Sequence, residues 1–168
     1  MYTSSITVDN VIDALAGFLQ PFVDGADIVR AQVNRVPMPS LPCVVLTELF
    51  HVDLRVPSQD YDVLNAEVDL SASNRIDIQV DFYGDSAGDY CRSVETAFRT
   101  MWGFDMFPAG IKPLYTSDGI QSPLVSGEQQ YVSRWTLTVS MQYNPIVSVP
   151  QQFAEELAAT TIAADVLY

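Results

Sequence analysis

Basic residues are scarce in this chain of 168 residues. It has 8 lysines and arginines against 21 aspartates and glutamates, for a formal net charge of −13, and Lys112 is the only lysine. Binding to nucleic-acid phosphates scales with the number of lysine and arginine contacts, and binding to anionic membrane surfaces needs clustered basic residues. The composition therefore excludes a groove that neutralises nucleic-acid phosphates and argues against a membrane partner.

Residue types that bind metals or act as nucleophiles are also few. The chain has two cysteines, Cys43 and Cys91, and one histidine, His51. Two cysteines without a CxxC spacing match neither a disulfide scaffold nor a zinc site, so we expect two buried free thiols. His51 lies between Phe50 and Val52 in a predicted strand, which favours a core or interface imidazole over a catalytic one.

Motifs for nucleotide binding and for paired-carboxylate chemistry are missing. There is no GxxxxGK[ST] phosphate loop, and no GxGxxG follows a predicted strand. Asp77 and Asp81 alternate along one strand and lie about 13 Å apart at four strand rises, too far for a glycosidase pair or one bridging ion. Asp85 and Asp89 fit the acidic first turn of a helix. We therefore predict no enzyme activity, no catalytic or metal-binding residue and no cofactor.

The chain does have a hydrophobic fraction of 48%, while charged residues make up only 17%, against about 25% in an average soluble domain. This length predicts one domain with one core. The first residues contain no basic segment followed by a long apolar one, so we expect no signal peptide and folding in the cytoplasm. A surface this poor in charge indicates that other protein covers much of it.

Two helices are predicted from apolar residues at helical spacing. The first covers residues 11–22, with Thr7 or Asp9 as its N-terminal cap. The second begins at Ser86, which we expect to cap it, and reaches Met101. Residues 103–127 are rich in proline and glycine and predict a loop with a short strand around residues 114–115.

Alternation of apolar and polar residues predicts the strands. In the clearest case one side of a strand carries Ile76, Ile78, Val80 and Phe82, and the other carries Arg75, Asp77, Gln79, Asp81 and Tyr83. Further strands are predicted at 28–36, 43–55 (buried on both faces), around 68–70 and at 131–143, with a loop at 57–65. The expected fold is α+β, with a mixed or antiparallel sheet and helices on one face. A single domain of residues 1–145 precedes a C-terminal helix or arm at 146–168.

Three segments carry a resemblance to a known family: Gln79-Val80-Asp81-Phe82-Tyr83-Gly84 with the helix behind it, Ile-Lys-Pro-Leu-Tyr at 111–115, and Gly-Glu-Gln-Gln-Tyr-Val-Ser-Arg-Trp at 127–135. This succession of strand, helix, Pro-Leu-Tyr loop and strand resembles the neck or tail terminator proteins of contractile-tailed bacteriophages and related prophages. The resemblance covers about residues 76–143.

The resemblance implies a structural virion protein of the phage neck, assembled in the host cytoplasm, and not an enzyme. Such proteins form a ring of six copies, with twelve as an alternative, on the head-proximal end of the tail tube. The ring stops tube polymerisation and joins the tail tube protein to a head-completion or adaptor protein, with sheath or collar as further partners, while DNA passes through its lumen.

Two other functions remain open. One is a head-closure, collar or minor tail protein on the same fold. The other, from a different class, is a small acidic enzyme or ligand-binding protein, which would need a pocket that holds His51 beside a carboxylate.

A ring repeats one interface between two different patches of each subunit, which accounts for the scarce charge. The candidate residues for an interface or a lumen wall are Asp77, Gln79, Asp81, Tyr83, Tyr115 and Arg134. The row of Asp77, Gln79 and Asp81 faces the lumen, a neighbour, or plain solvent. The two tyrosines are interface anchors or core-edge packing. Arg134 is expected to pair with Asp81 or Asp77 across the sheet, or with an acid on the next subunit.

Overall fold

The computed structural model describes residues 2–31, 39–122, 124–125 and 131–152. The helices are α1 (Val8–Leu19), which continues into a 3-10 turn (Gln20–Phe22), α2 (Ala87–Phe98) and α3 (Met101–Asp105). The strands are β1 (Asp27–Arg30), β2 (Cys43–Asp53), β3 (Ser58–Asp62), β4 (Glu67–Ser71), β5 (Asn74–Tyr83), β6 (Ile111–Thr116), β7 (Ile120–Gln121), β8 (Leu124–Val125), β9 (Tyr131–Val132), β10 (Arg134–Tyr143) and β11 (Ile146–Pro150).

A central mixed sheet organises the molecule. Its strand order is β1-β2-β5-β10-β6, and β7 pairs with the first residues of β10. The pair β1–β2 is parallel and the other pairs are antiparallel. β5 and β10 are in register over ten residues, from Tyr83 opposite Arg134 to Asn74 opposite Tyr143. The predicted α+β class and mixed sheet are confirmed.

Both long helices pack on one face of this sheet and form the core with it. Ile76, Ile78, Val80 and Phe82 of β5 are fully buried there, as the alternation predicts. Leu15 of α1 and Val94 of α2 are equally inaccessible to solvent. Aromatic rings of Phe18, Phe98 and Phe107 close the end of this core, with centroids 5.0 to 5.9 Å apart. An amphipathic strand under two amphipathic helices therefore accounts for most of the buried surface.

Local capping sets the ends of the helices. The Thr7 hydroxyl accepts a hydrogen bond from the Asn10 amide, and the Asn10 side chain accepts one from the Thr7 amide, so Thr7 and not Asp9 caps α1. Ser86 makes no side-chain capping bond, so that prediction is wrong. The predicted second helix is divided because Thr100 has extended backbone angles and its hydroxyl caps α3 by accepting from the Gly103 amide.

A small second sheet continues the central one, with the order β11-β4-β3. Along the chain β3 follows β2, β4 leads into β5, and β11 follows β10. The strands of the small sheet therefore lie side by side in the same order as the central strands that they continue. The predicted loop at 57–65 is wrong, because Ser58–Asp62 is a strand whose residues are all exposed. Backbone pairing with β4, rather than burial, holds β3 in place. The predicted segment 146–168 begins with β11, and residues 153–168 lie outside the described residues.

The prediction that 43–55 is buried on both faces holds only for the first residues of β2. β1 pairs with residues 43–46 and ends there, so the following part of β2 has an open edge and residues 49–53 are exposed. The other predicted strands agree more closely: 131–143 contains β9 and β10, and β6 covers residues 114–115. Residues 32–36 of the predicted strand 28–36 are not among those described.

Candidate assembly surface

The six candidate residues lie on the face of the central sheet opposite to the helices, which we call the polar face. Asp77, Gln79, Asp81 and Tyr83 point to this side because they alternate with the buried residues of β5. The strand register places Arg134 opposite Tyr83, and Ser140 opposite both Asp77 and Tyr115. The fold therefore brings the candidates together on three neighbouring strands.

Asp81 is the centre of one group on the polar face. Arg134 donates to its carboxylate from two nitrogens, at 3.1 Å (Nε–Oδ1) and 3.0 Å (Nη2–Oδ2). Thr136 and Gln79 donate further hydrogen bonds to the same carboxylate at 2.6 and 2.8 Å. Asp81 is 2% exposed, and its hydrogen bond with Arg134 raises the pKa of that guanidinium. The predicted ion pair between Arg134 and Asp81 is confirmed.

Asp77 is the centre of a second group. The Ser140 hydroxyl donates to Asp77 Oδ1 at 2.7 Å, and Arg75 Nε lies 3.1 Å from the same oxygen, without the alignment of a hydrogen bond. The Arg75 guanidinium lies 5.8 Å from the Phe50 ring centroid and 5.9 Å from that of Tyr115. Asp77 is 6% exposed, whereas both rings are about half exposed. Arg75 therefore joins a buried carboxylate to two exposed aromatic rings.

The two groups present little free negative charge. Asp77 and Asp81 are buried beside arginines. On a sheet face that contacted only solvent, these carboxylates would be exposed. What reaches the surface is the cluster of Phe50, Arg75 and Tyr115. Arginine and aromatic residues are the types that are enriched in protein interfaces. The composition of this cluster therefore matches that of protein interfaces.

Phe50 was missed as a candidate because a β-bulge changes its side of the sheet. Thr47 lies opposite Gln79 and Phe50 lies opposite Asp77, so one extra residue is inserted between them. Strict alternation would place Phe50 on the helix side. Arg75 was visible in the alternating row, and its position next to Asp77 is the signal that could have identified it.

His51 is exposed, so the core imidazole is wrong as an alternative, and the interface imidazole stays a prediction. Its Nε2 lies 2.7 Å from Glu48 Oε1, and its Nδ1 lies 3.3 Å from the Tyr143 hydroxyl. The His51 hydrogen bond is the main cause of the lowered pKa of Glu48. Arg30 also binds Glu48, at 3.0 Å, and contacts Asp9 of α1. These contacts tie α1 and β1 to the exposed part of β2, which is a structural role.

The two thiols are buried and unpaired, as predicted. Burial raises the pKa of Cys91 to about 11 and also raises that of Cys43. We expect neither thiol of the folded protein to react with iodoacetamide at mildly alkaline pH, because the thiolate is the reactive form. Intact mass spectrometry should detect two modifications after unfolding in guanidinium and none before. Modification of the folded chain at a rate similar to that of the unfolded one would contradict this.

The described residues also bear on metal binding and on membrane insertion. They contain no group of three or more His, Cys, Asp and Glu residues placed to hold a metal ion. In the same part of the chain, no helix combines the length and the apolar character needed to cross a membrane.

Comparisons with known proteins agree with the resemblance seen in the sequence. The profile of a family described as phage neck terminator protein matches residues 9–165. No curated protein matches. Among solved structures, the chain is similar to the sheath/tube terminator of an extracellular contractile injection system (PVC, extended state), with a TM-score of 0.55 and 13% identity. The match covers 98% of this chain and 66% of that one, and it supports the terminator-like fold.

Proposed function

From the premise that this chain belongs to the phage neck terminator protein family, we propose that its copies form a closed ring on the tail tube. The ring caps the tube and ends its polymerisation. The observation that carries the proposal is the amount of large apolar surface exposed on a chain with so little charge. Exposed residues include Phe50, Trp102, Phe104, Tyr115 and Tyr131. Monomeric proteins rarely leave such patches uncovered.

Six copies are expected, with twelve as the alternative, and the polar face takes part in the contacts of the ring. In this proposal Tyr115 and Arg134 are interface residues, whereas Tyr83, only 8% exposed, packs at the edge of the core beside Arg134. Asp77, Gln79 and Asp81 hold the arginines in place from beneath. The cation–π contact between Arg134 and Tyr83, at 5.6 Å, and the Phe50–Arg75–Tyr115 cluster give this surface a fixed shape before it meets a partner.

DNA passes through the lumen without specific binding, because an acidic wall repels phosphate while staying hydrated. With a net charge of −13 per chain the ring is acidic as a whole, and four of its carboxylates lie on one face of the small sheet. Asp60 is opposite Asp69, and Asp62 is opposite Glu67. No lysine or arginine among the described residues forms an ion pair with these four. Asp77 and Asp81, which are buried beside arginines, are therefore not the proposed source of the negative charge of the lumen.

The partners proposed for the ring are the tail tube protein on one side and a head-completion or adaptor protein on the other. Sheath is a further partner, since the structural neighbour is named a sheath/tube terminator. The protein then belongs to the neck of the virion and assembles in the host cytoplasm. A head-closure, collar or minor tail protein is the second candidate, because the same polar face would serve any ring of the neck.

Native mass spectrometry of the purified full chain tests the ring. We expect one closed species of six copies, and we expect tail tubes incubated with it to stop elongating in electron micrographs. Tyr115→Ser should raise the ratio of monomers to assembled rings at least tenfold. It removes one of the two aromatic side chains that contact Arg75. Tyr2→Ser is the control, because Tyr2 is also exposed but lies far from this cluster in the chain. A stable monomer at high concentration would contradict the proposal.

A further inference from the structure

The turn between β3 and β4 presents two apolar residues to solvent. Val63 and Leu64 lie at its tip, and Leu64 is 97% exposed. The Asp62 carboxylate fixes the turn by accepting hydrogen bonds from the amides of Leu64 (3.0 Å) and Asn65 (3.1 Å). Ala66 completes it with a left-handed φ of 52°. These hydrogen bonds hold the backbone of the turn, which lowers the entropic cost of ordering it on binding.

A second apolar surface surrounds α3. Its exposed residues are Met101, Trp102, Phe104 and Met106. The Trp102 ring packs against Phe18 and Phe22 on its inner side, with centroids 6.2 and 6.1 Å away. A Cβ at Gly103 would lie 2.3 Å from the Ala97 carbonyl oxygen, so glycine lets α3 sit close against the end of α2. Methionine side chains beside a fixed indole form an adaptable apolar surface.

The two surfaces lie at opposite lateral sides of the molecule. Across the two sheets, β2 and β3 lie toward one edge, and β6 lies at the opposite edge. α3 packs against α2 and β6. Two strands separate β2 from β6, which corresponds to about 14 Å between their axes. This is the arrangement that a closed ring requires, because each copy must offer unlike patches to its two neighbours.

The charges around the two surfaces are complementary. Asp60, Asp62, Glu67 and Asp69 flank the tip of the turn. On the side of α3, Arg99 already pairs with Glu95 and Asp118, so in the described part of the chain Lys112 is the cation that is left for a partner. The Lys112 ammonium lies 4.6 Å from the Phe104 ring centroid and donates to two carbonyl oxygens, and no carboxylate among the described residues forms an ion pair with it. Asp105 of α3 offsets part of this positive charge.

We infer that the β3–β4 turn of one copy docks on the α3 surface of the next copy. Leu64 inserts among Met101, Trp102 and Phe104, and the acids of the turn face Lys112. The occupant of the α3 surface is therefore a second copy of this chain. This inference rests on the proposed ring and specifies which surfaces close it.

Cysteine cross-linking of the full chain tests this contact. Leu64→Cys and Met101→Cys place accessible thiols on the two surfaces, while Cys43 and Cys91 are buried. With a short flexible bismaleimide, a mixture of the two single variants should yield only covalent dimers. The double variant should yield a ladder that ends at the ring size, because every copy then links to both neighbours. The control pair is Ile120→Cys with Met101→Cys, since Ile120 is exposed but lies on the β6 side of the sheet.

A substitution at the tip gives a second measurement. Leu64→Asp should raise the concentration for half-maximal assembly at least tenfold and leave the melting of the monomer unchanged, whereas Ile120→Asp should leave assembly unchanged. A ring that forms normally with Leu64→Asp, or that gives no Leu64–Met101 product above the control pair, overturns the docking while the ring itself stands. A chain that never forms a ring overturns both.

Discussion

Phe82→Ala is expected to destabilise the monomer by about 3–5 kcal/mol, a large part of the about 5–15 kcal/mol by which native proteins are stable. Phe82 is among the largest fully buried side chains of the described residues. It lies on β5 between β2 and β10, opposite Val44 and Trp135, so truncation leaves a cavity that the paired strands cannot close. Urea denaturation monitored by circular dichroism measures the loss as a lower transition midpoint.

Phe50→Ala is the matched control for this loss. Phe50 lies on β2 of the same sheet, but about half of its side chain is exposed. Its truncation should cost about 1 kcal/mol or less, because little apolar surface leaves a buried environment. The control variant should instead weaken assembly, since Phe50 belongs to the cluster around Arg75. Equal destabilisation by the two substitutions would contradict the assignment of the core to the helix side of the sheet.

The parts of the fold that could be predicted are those in which one strand or helix carries its own pattern. β5 alternates over its whole length, so its two faces follow from the sequence alone. β3 has no such pattern, because all five of its residues are exposed and only pairing with β4 makes it a strand. β11 likewise depends on β4, which lies more than seventy residues earlier in the chain. Strands held by backbone pairing, rather than by a buried face of their own, leave no clear local signal.

The candidate site, too, could be predicted only where its strands alternate regularly. Asp81 and Arg134 were identified because both lie on alternating strands, and a shared face places opposite charges together. The bulge in β2 could not be predicted, and it alone brings Phe50 to Arg75. It also moves His51 to the side of Tyr143. One inserted residue therefore decides which aromatic ring completes the cluster on the polar face.

Removal of Arg134 is expected to be the most damaging change on the polar face. Arg134→Ala leaves the Asp81 carboxylate buried with only Thr136 and Gln79 as donors. Breaking a buried ion pair costs about 3–5 kcal/mol, and the partial exposure of the Arg134 side chain lowers the expectation to about 2–4 kcal/mol. Thermal unfolding measures the effect on the stability of the monomer, and native mass spectrometry measures the effect on ring assembly.

A double-mutant cycle separates the pair from its surroundings. Asp81→Ala combined with Arg134→Ala should be less destabilising than the sum of the single changes, with a coupling of about 1.5–3 kcal/mol, because no charge is then left buried. Asp9→Asn is the control: it removes an exposed ion pair with Arg30 and should cost less than about 1 kcal/mol. Additive effects of the two single changes would contradict the coupling. An Arg134→Ala variant with unchanged melting and unchanged ring size would mean that the buried pair stabilises neither the monomer nor its assembly.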